Sequence, residues 1–230
     1  PLLSGGAAMA QSTASEAPAG QQAPGFYRTK LGGRGLLLVN DGFGRRPDPR
    51  QNFVRNASSQ QVEAALRDAF LPLDRLTIPY TVPFLETPRG LVAFDIGTGG
   101  HLGDTAGRLL ANLRAAGFAP SAVAAIVFTH FHPDHISGLT DSEGKAVFPN
   151  AALHVPEPEW AFWFDDAQAE RAPDAMRPAF RNVRDRFAPY AERVKRFAPG
   201  AEVMAGVRSV ATPGHTPGHT SYVLSDEDRS

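Results

Sequence analysis

The amino-acid sequence predicts an α/β fold in a single domain, on three observations. Short all-apolar runs, of which residues 123–128 are the clearest, are typical of strands buried on both faces. Segments between these runs carry apolar residues at helical spacing, as in residues 104–116. The chain of 230 residues is 42% hydrophobic, which is enough to bury one sizeable core.

Residues 1–24 are predicted to precede the folded domain. Ala8-Met9-Ala10 follows an apolar segment and has the small-x-small pattern of a signal-peptide cleavage site, although a low-complexity terminus has the same composition. The following residues are rich in Ser, Ala, Gln, Pro and Gly, as in disordered linkers. We therefore expect a signal-peptide remnant, a linker and a periplasmic or secreted location.

The first folded elements are a strand, a helix and a hairpin. Residues 35–40 form a short apolar run that predicts a buried strand. Ser59 opens a helical pattern. One face of this helix is shared by Val62, Ala65, Leu66 and Phe70. Residues 80–84 and 90–95 predict two strands, and the turn signal between them makes a hairpin.

A second helix is predicted to begin with Asp104 or Thr105 as its cap and to stop at Gly117. Its apolar face comprises Ala106, Leu109, Leu110, Leu113 and Ala116. The buried strand over residues 123–128 follows, and it leads directly into Thr129 and a group of histidines. This histidine motif is therefore expected at a strand end.

The second half of the chain predicts a strand over residues 151–155 and an aromatic helical turn over 157–164. A long helical stretch over 174–198 follows, interrupted at Pro178 and Pro189. Its basic residues alternate with acids, which favours a solvated helix face over a nucleic-acid surface. Two final strands, over 207–211 and 221–224, flank the loop TPGHTPGHT.

Charge and cysteine content limit the classes of function. The chain has 23 Lys and Arg against 24 Asp and Glu, so no field is expected that would gather nucleic acid or an anionic membrane. It has no apolar run of about 18 residues, so no transmembrane helix is predicted. The absence of cysteine excludes disulfides and thiolate metal sites. Any metal must be held by histidine and carboxylate, and the expected partner is a small-molecule substrate.

The segment THFHPDH, residues 129–135, predicts a metal site. Residues two apart on extended backbone point the same way, so His130 and His132 can converge on one metal ion. Asp134 and His135 lie beyond the bend at Pro133 and can reach a second ion. His215, in the glycine-rich loop TPGHTPGHT, would complete a set of three histidines with the first pair.

HFHPDH followed by TPGHTPGH resembles the metallo-β-lactamase superfamily, whose fold is an αββα sandwich with a dinuclear site at one edge of its sheets. The resemblance covers residues 25–230. It implies that His130, His132 and His215 bind the first metal and that Asp134 and His135 bind the second. It also implies that Asp95 supports these ligands from behind and that His219 supports its loop without binding metal.

Within the superfamily, the segments FDIGTGGHLGDTAGRLLANLRAAGF and FPNAALHVPEPEWAFW are most similar to methyl parathion hydrolase and related N-acyl homoserine lactonases. That similarity implies that Leu102 and Trp163 line an apolar substrate pocket. Family members continue to an aspartate that bridges both metals and then to a last histidine ligand. We therefore expect the domain at 25–230 to be incomplete, with its C-terminal part missing.

The resemblance and the ligand set predict a dinuclear metallohydrolase. A metal-bound hydroxide would attack a small ester-like substrate, a lactone or an organophosphate triester, and Asp134 would accept a proton. Zinc is the first expectation for the two divalent ions, with iron, manganese or cobalt as alternatives. The alternative functions are a β-lactam or thioester hydrolase, an iron-dependent sulfur dioxygenase and an inactive metal-binding fragment. The sequence leaves open whether the chain forms a homodimer.

Overall fold

The computed structural model describes residues 25–51, 53–54 and 56–225. The signal-peptide remnant and linker predicted for residues 1–24 lie outside this part of the chain. The strands of the described part are β1 Phe26–Leu31, β2 Arg34–Pro47, β3 Arg75–Thr87, β4 Gly90–Phe94, β5 Val123–Val127, β6 Ala152–Pro156, β7 Val194–Phe197, β8 Glu202–Met204, β9 Val207–Ala211 and β10 Thr220–Leu224.

The α-helices of the described part are α1 Ser59–Asp68, α2 Leu109–Ala115, α3 Pro133–Ile136, α4 Glu157–Phe164, α5 Asp166–Arg171 and α6 Arg177–Phe187. Short 3-10 helices connect some of the elements, at Pro120–Ala122, Ser137–Leu139 and Ala188–Arg193. None of the helices in the described residues combines the length and the apolar character that crossing a membrane requires.

Two sheets organise the described residues. β1 to β7 form a seven-stranded sheet in sequence order, and β10, β9 and β8 form a three-stranded antiparallel sheet. Neighbours from β1 to β4 are antiparallel, whereas those from β4 to β7 are parallel. The hairpin predicted from the sequence is confirmed, with Thr87 opposite Gly90. Because β4 and β5 are parallel, the residues that follow them emerge at one edge of the sheet.

The large sheet lies between helices and the small sheet. Along β4, Leu91 and Ala93 pack in the core that also holds α2 and α6, whereas Val92 and Phe94 pack against Val207 of the small sheet. In β5, Ile126 packs in the first of these cores and Ala125 and Val127 pack in the second, which explains why its run is apolar on both faces. The predicted α/β class is confirmed, and helix, large sheet and small sheet form consecutive layers of an αββα arrangement.

Helix α2 begins later than the sequence suggests. It starts at Leu109, not near Asp104 or Thr105, because Gly107 has a left-handed backbone with φ of +87° that no helix continues. The cap comes from another element: Asp41 Oδ1 accepts a hydrogen bond from the Leu109 backbone N–H at 2.8 Å. Local capping signals therefore placed the start of this helix incorrectly.

Asp41 is fully buried at a bulge in β2, where the pairing with β3 shifts register between Asn40 and Gly42. Its second oxygen, Oδ2, accepts hydrogen bonds from both the backbone N–H and the hydroxyl of Thr98, each at 2.7 Å. This one carboxylate therefore joins β2, α2 and the loop after β4. Three donors compensate the cost of burying its charge.

Replacing Asp41 with asparagine is expected to lower the free energy of unfolding by about 1–3 kcal/mol, because an amide nitrogen cannot accept from the donors that face it. Urea denaturation of the variant and the unmodified chain measures the difference. A matched surface control is Asp68→Asn, which lies on the exposed side of α1 and is expected to change little. Equal stability of the two variants would contradict this role of Asp41.

Two other details of the prediction are corrected. Phe70 does not share the buried face of α1: the helix ends at Asp68, and Phe70 is 96% exposed with a φ of +55°. The stretch over 174–198 is not one helix, since Val194–Phe197 is strand β7, which pairs in parallel with β6. Pro178 stands in the first turn of α6, where proline is tolerated, and so begins this helix instead of interrupting it.

Candidate metal centre

The loop after β5 carries the first pair of histidines. β5 ends at Val127, and the chain continues through buried Phe128 into Thr129 and His130. His132 has extended backbone and stands directly before α3, whose first residue is Pro133. The extended segment thus places two imidazoles side by side before the backbone turns into the short helix.

Three imidazoles converge at this strand end, as the sequence predicted. The ligand nitrogens of His130, His132 and His215 all lie within 4.8 Å of one another. His130 Nε2 is 3.2 Å from His132 Nδ1, which in turn is 3.0 Å from His215 Nε2. Two nitrogens bound at 2.0–2.1 Å to one tetrahedral metal are separated by roughly 3.3 Å. The spacing and the donor type of this three-histidine cluster therefore fit a metal ion.

Thr129 and Asp95 orient the imidazole of His130. The Thr129 hydroxyl donates to Asp95 Oδ2 at 2.7 Å, so it can only accept from His130 Nδ1, which is 2.9 Å away. The proton of a neutral His130 is then on Nδ1, and Nε2 presents its lone pair to the cluster. The Thr129 backbone N–H also donates to Asp95 Oδ1 at 2.8 Å. Asp95 thus contacts His130 through Thr129, and its role in supporting metal ligands stays a prediction.

Asp95 also contacts the second predicted ligand pair. It follows β4 with a left-handed φ of +62°, and its Oδ2 lies 2.7 Å from His135 Nδ1. His135 Nε2 faces the opposite way and lies 3.4 Å from Asp134 Oδ2. Asp134 and His135 are thus adjacent to the three-histidine cluster, since the ring centroids of His130 and His135 are 4.0 Å apart. Whether this pair binds a second metal stays a prediction.

The protonation of these groups follows from burial and mutual charge. Burial and the neighbouring imidazoles lower the pKa of His130 to about 2, so its ring is neutral at pH 7. Burial also lowers the pKa of His132. Burial lowers the pKa of His135, but the Asp95 and Asp134 carboxylates have the larger combined effect and raise it to about 10. Burial raises the pKa of Asp134, but the hydrogen bond and charge of His135 outweigh burial and lower this pKa to about 2.

The loop between β9 and β10 carries His215 and His219. It is held against the first motif by the Thr220 backbone N–H, which donates to the Thr129 carbonyl at 3.0 Å. His219 Nδ1 lies 2.9 Å from the Thr212 hydroxyl, and its ring centroid is 5.0 Å from that of His130. His219 therefore links the two ends of its own loop through Thr212, and the supporting role that the resemblance implied stays a prediction.

The two predicted pocket residues have different environments. Leu102 is 41% exposed in the loop after β4. Trp163 is only 2% exposed, its ring centroid lies 6.3 Å from that of His132, and its indole N–H donates to Glu159 at 2.7 Å. Trp163 thus packs behind a histidine of the cluster. The pocket role of both side chains stays a prediction.

Sequence reasoning did not single out Glu159. This side chain is fully buried in α4 and accepts hydrogen bonds from both histidine-bearing loops. The available signal was a glutamate within the strongly apolar segment EPEWAFWF, four residues before Trp163. That spacing places the two side chains on one helix face, but the contacts to the loops depend on residues 28 to 59 positions away.

The chain belongs to the metallo-beta-lactamase superfamily, whose sequence pattern matches residues 85–230. The match includes every histidine of the three-histidine cluster as well as Asp95, Asp134 and His135. This family membership agrees with the layered sheets and with the metal-like spacing of the imidazoles. Divalent metals are typical ligands of the superfamily.

Two curated relatives are probable metallo-hydrolases of Mycobacterium bovis and Mycobacterium tuberculosis. Each is 31% identical over 175 residues, which cover 62% of this chain and 51% of the relative. The chain thus spans about half the length of the curated relatives it matches.

Solved structures are similar over most of the chain. The crystal structure of the hydrolase AbOPH of the beta lactamase superfamily has a TM-score of 0.82 and 29% identity, covering 90% of this chain and 72% of that one. AidC, a dizinc quorum-quenching lactonase in complex with a product, has a TM-score of 0.77 and 25% identity, covering 89% and 71%. A probable metal-dependent hydrolase from Staphylococcus aureus, at 21% identity and a TM-score of 0.65, is similar in fold.

Proposed function

We propose that this chain is part of a metal-dependent hydrolase that acts on a small ester-like substrate, a lactone or an organophosphate triester. The observation that carries the proposal is the three-histidine cluster, in which nitrogens of three side chains stand 3.0 and 3.2 Å apart. Imidazole nitrogens held this close match the spacing of ligands around one tetrahedral ion, which favours a bound cation.

We assign the side chains of the site to two proposed ligand groups. His130, His132 and His215 would hold one ion, and Asp134 and His135 would contribute to a second. Imidazole and carboxylate together suit zinc, and iron, manganese and cobalt accept the same ligands. When bound, such ions lower the pKa of water and polarise a substrate carbonyl or phosphoryl oxygen.

The protein groups around this centre hold protons and orient ligands. The Thr129–Asp95 pair keeps the proton of His130 on Nδ1, away from the cluster. Asp134 is partly exposed, with its Oδ2 3.4 Å from His135 Nε2, and we assign to it the role of accepting a proton as the reaction proceeds. Asp95 holds His135 through Nδ1, which leaves Nε2 directed toward Asp134.

The substrate class is supported by the solved structures. AidC is a lactonase and AbOPH is a hydrolase, and both share 25% identity or more with this chain over about nine-tenths of its length. Lactones and phosphotriesters both present a polarised oxygen to a metal and an electrophilic centre beside it, so one site type serves both.

The test begins with the purified chain, stripped with a chelator and then reloaded with zinc. Metal content is measured by mass spectrometry, and hydrolysis is screened on an acyl homoserine lactone, an aryl phosphotriester, a β-lactam and a thioester. We expect hydrolysis of the lactone or the phosphotriester that depends on added metal. A fully metallated protein that hydrolyses only the β-lactam or thioester, or that consumes oxygen only when loaded with iron, would contradict the proposal.

A further inference from the structure

Glu159 of α4 is hydrogen-bonded to both loops that carry the three-histidine cluster. Its Oε1 accepts from the Phe131 backbone N–H at 3.0 Å, and its Oε2 accepts from the Thr216 hydroxyl at 2.7 Å and the Gly218 backbone N–H at 2.9 Å. The Trp163 indole N–H donates to Oε1 at 2.7 Å. Oε1 therefore bonds the loop of His130 and His132, and Oε2 bonds the loop of His215.

The positions of these donors matter more than their number. Phe131 stands between His130 and His132, and Thr216 directly follows His215. A displacement of Glu159 would therefore move one loop relative to the other, although it touches neither a ligand nitrogen nor the solvent. The two loops are separated by about 80 residues of chain, so their spacing depends on tertiary contacts of this kind.

Close packing of the second loop on α4 supports the same interpretation. A Cβ atom at Gly218 would lie 2.1 Å from the Glu159 backbone nitrogen, so only glycine fits there. The side chain of Glu159 is fully buried, and a buried carboxylate with four good donors holds a single position. Both features indicate that α4 and the loop that carries His215 are held in one fixed arrangement.

We propose that Glu159 is a positioning residue that sets the distance of His215 from His130 and His132. The inference rests on the proposed metal binding of this cluster and deepens it. It assigns to one buried carboxylate the preorganisation that lets imidazoles from two distant loops bind one ion without rearrangement.

The first test compares Glu159→Gln with the unmodified chain. Glutamine keeps the side-chain volume, but its amide nitrogen cannot accept, so the donors of one loop lose their acceptor. Competition with a chromophoric chelator measures zinc affinity, and we expect about 10- to 100-fold weaker binding. Asp41→Asn is the matched control, because it also changes a fully buried carboxylate but contacts neither histidine loop. Its zinc affinity is expected to change by no more than about 2-fold.

The second test separates positioning from a general loss of stability. Glu159→Gln is repeated in a His215→Ala background, where no third imidazole remains to be positioned. We expect the effect on zinc affinity to fall to about 2-fold or less there, so the two substitutions are not additive. Circular dichroism of the chelator-treated variants checks that each is folded. If Glu159→Gln does not fold, Thr216→Val is tested in its place. This variant removes only the hydroxyl that donates to Glu159 Oε2, and it is also expected to weaken zinc binding.

The outcomes are distinguishable. An unmodified chain that binds no zinc would overturn both the proposed function and the role of Glu159. An unmodified chain that binds zinc, together with folded variants at Glu159 or Thr216 that bind it equally well, would overturn the role of Glu159 alone. Equal losses in the Asp41 and Glu159 variants, or full additivity with His215→Ala, would also overturn it.

Discussion

Replacing His130 with alanine is expected to weaken zinc binding at the three-histidine cluster by roughly 100-fold or more, and to reduce any metal-dependent hydrolysis with it. His130 is the central ring of the group: its centroid lies 4.0 to 5.0 Å from those of His132, His135, His215 and His219. Zinc bound by four protein ligands contributes about 10–16 kcal/mol, or about 3 kcal/mol for each ligand, so losing one ligand weakens binding by roughly 100-fold or more.

The control for this prediction is His154→Ala. His154 lies in β6, pairs with Lys195 of β7 and is not part of the cluster. Both variants remove one imidazole, so a difference in zinc affinity between them reflects where the imidazole lies and not the loss of a histidine as such. Zinc affinity is measured by chelator competition, and activity is measured on the substrate that responds best in the screen. Unchanged zinc affinity in His130→Ala would contradict the assignment of the cluster as a metal site.

The parts of this site that sequence reasoning could reach are those encoded within a few residues. The run over 123–128 is apolar because both faces of β5 are covered, and that run ends where His130 and His132 begin. Alternation on extended backbone then predicted two imidazoles on one side, and the structure places them together. His215 was predicted as the third histidine from its glycine-rich loop, and the resemblance assigned it to the same metal, although nothing in that loop specifies which strand end it faces.

Features that depend on residues far away in the sequence could not be predicted from local sequence patterns. The start of α2 is set by Asp41, 68 residues before the backbone N–H that it caps. β7 was taken for helix because its edge position leaves Lys195 and Arg196 exposed, so it lacks the apolar run of a buried strand. Its pairing with β6 decides its conformation. Glu159 was missed for the same reason, since a glutamate in a helix is ordinary until its buried partners are known.

Phe70 shows a second reason for error: its spacing fits the apolar face of a helix, but the residue does not belong to the helix in the structure. The residue continues the apolar spacing of α1, yet the chain leaves the helix at Asp68 and the ring is exposed. A left-handed residue at this place ends the helix in the manner of a C-terminal cap, as its φ of +55° indicates. Helical spacing therefore predicted the body of α1 correctly and its end incorrectly.

Phe128→Ala is expected to be the most destabilising single substitution considered, at about 3–5 kcal/mol in the free energy of unfolding. The Phe128 ring is fully buried, with its centroid 5.4 Å from that of Phe187 and 6.0 Å from that of Phe131. Its removal leaves a cavity between β5 and α6 that rigid neighbours cannot fill. Because domains are typically stable by about 5–15 kcal/mol, this loss is a large fraction of the total.

Phe128 directly precedes Thr129, and its carbonyl accepts a hydrogen bond from the Tyr222 hydroxyl at 2.5 Å. Phe70→Ala is the matched control, because it removes the same atoms from a ring that is 96% exposed, and it is expected to change stability by less than about 0.5 kcal/mol. Urea denaturation of both variants, with metal removed, measures the core contribution alone. Similar stabilities for Phe128→Ala and Phe70→Ala would mean that the strand leading into the histidine motif is not held by the core between the large sheet and α6.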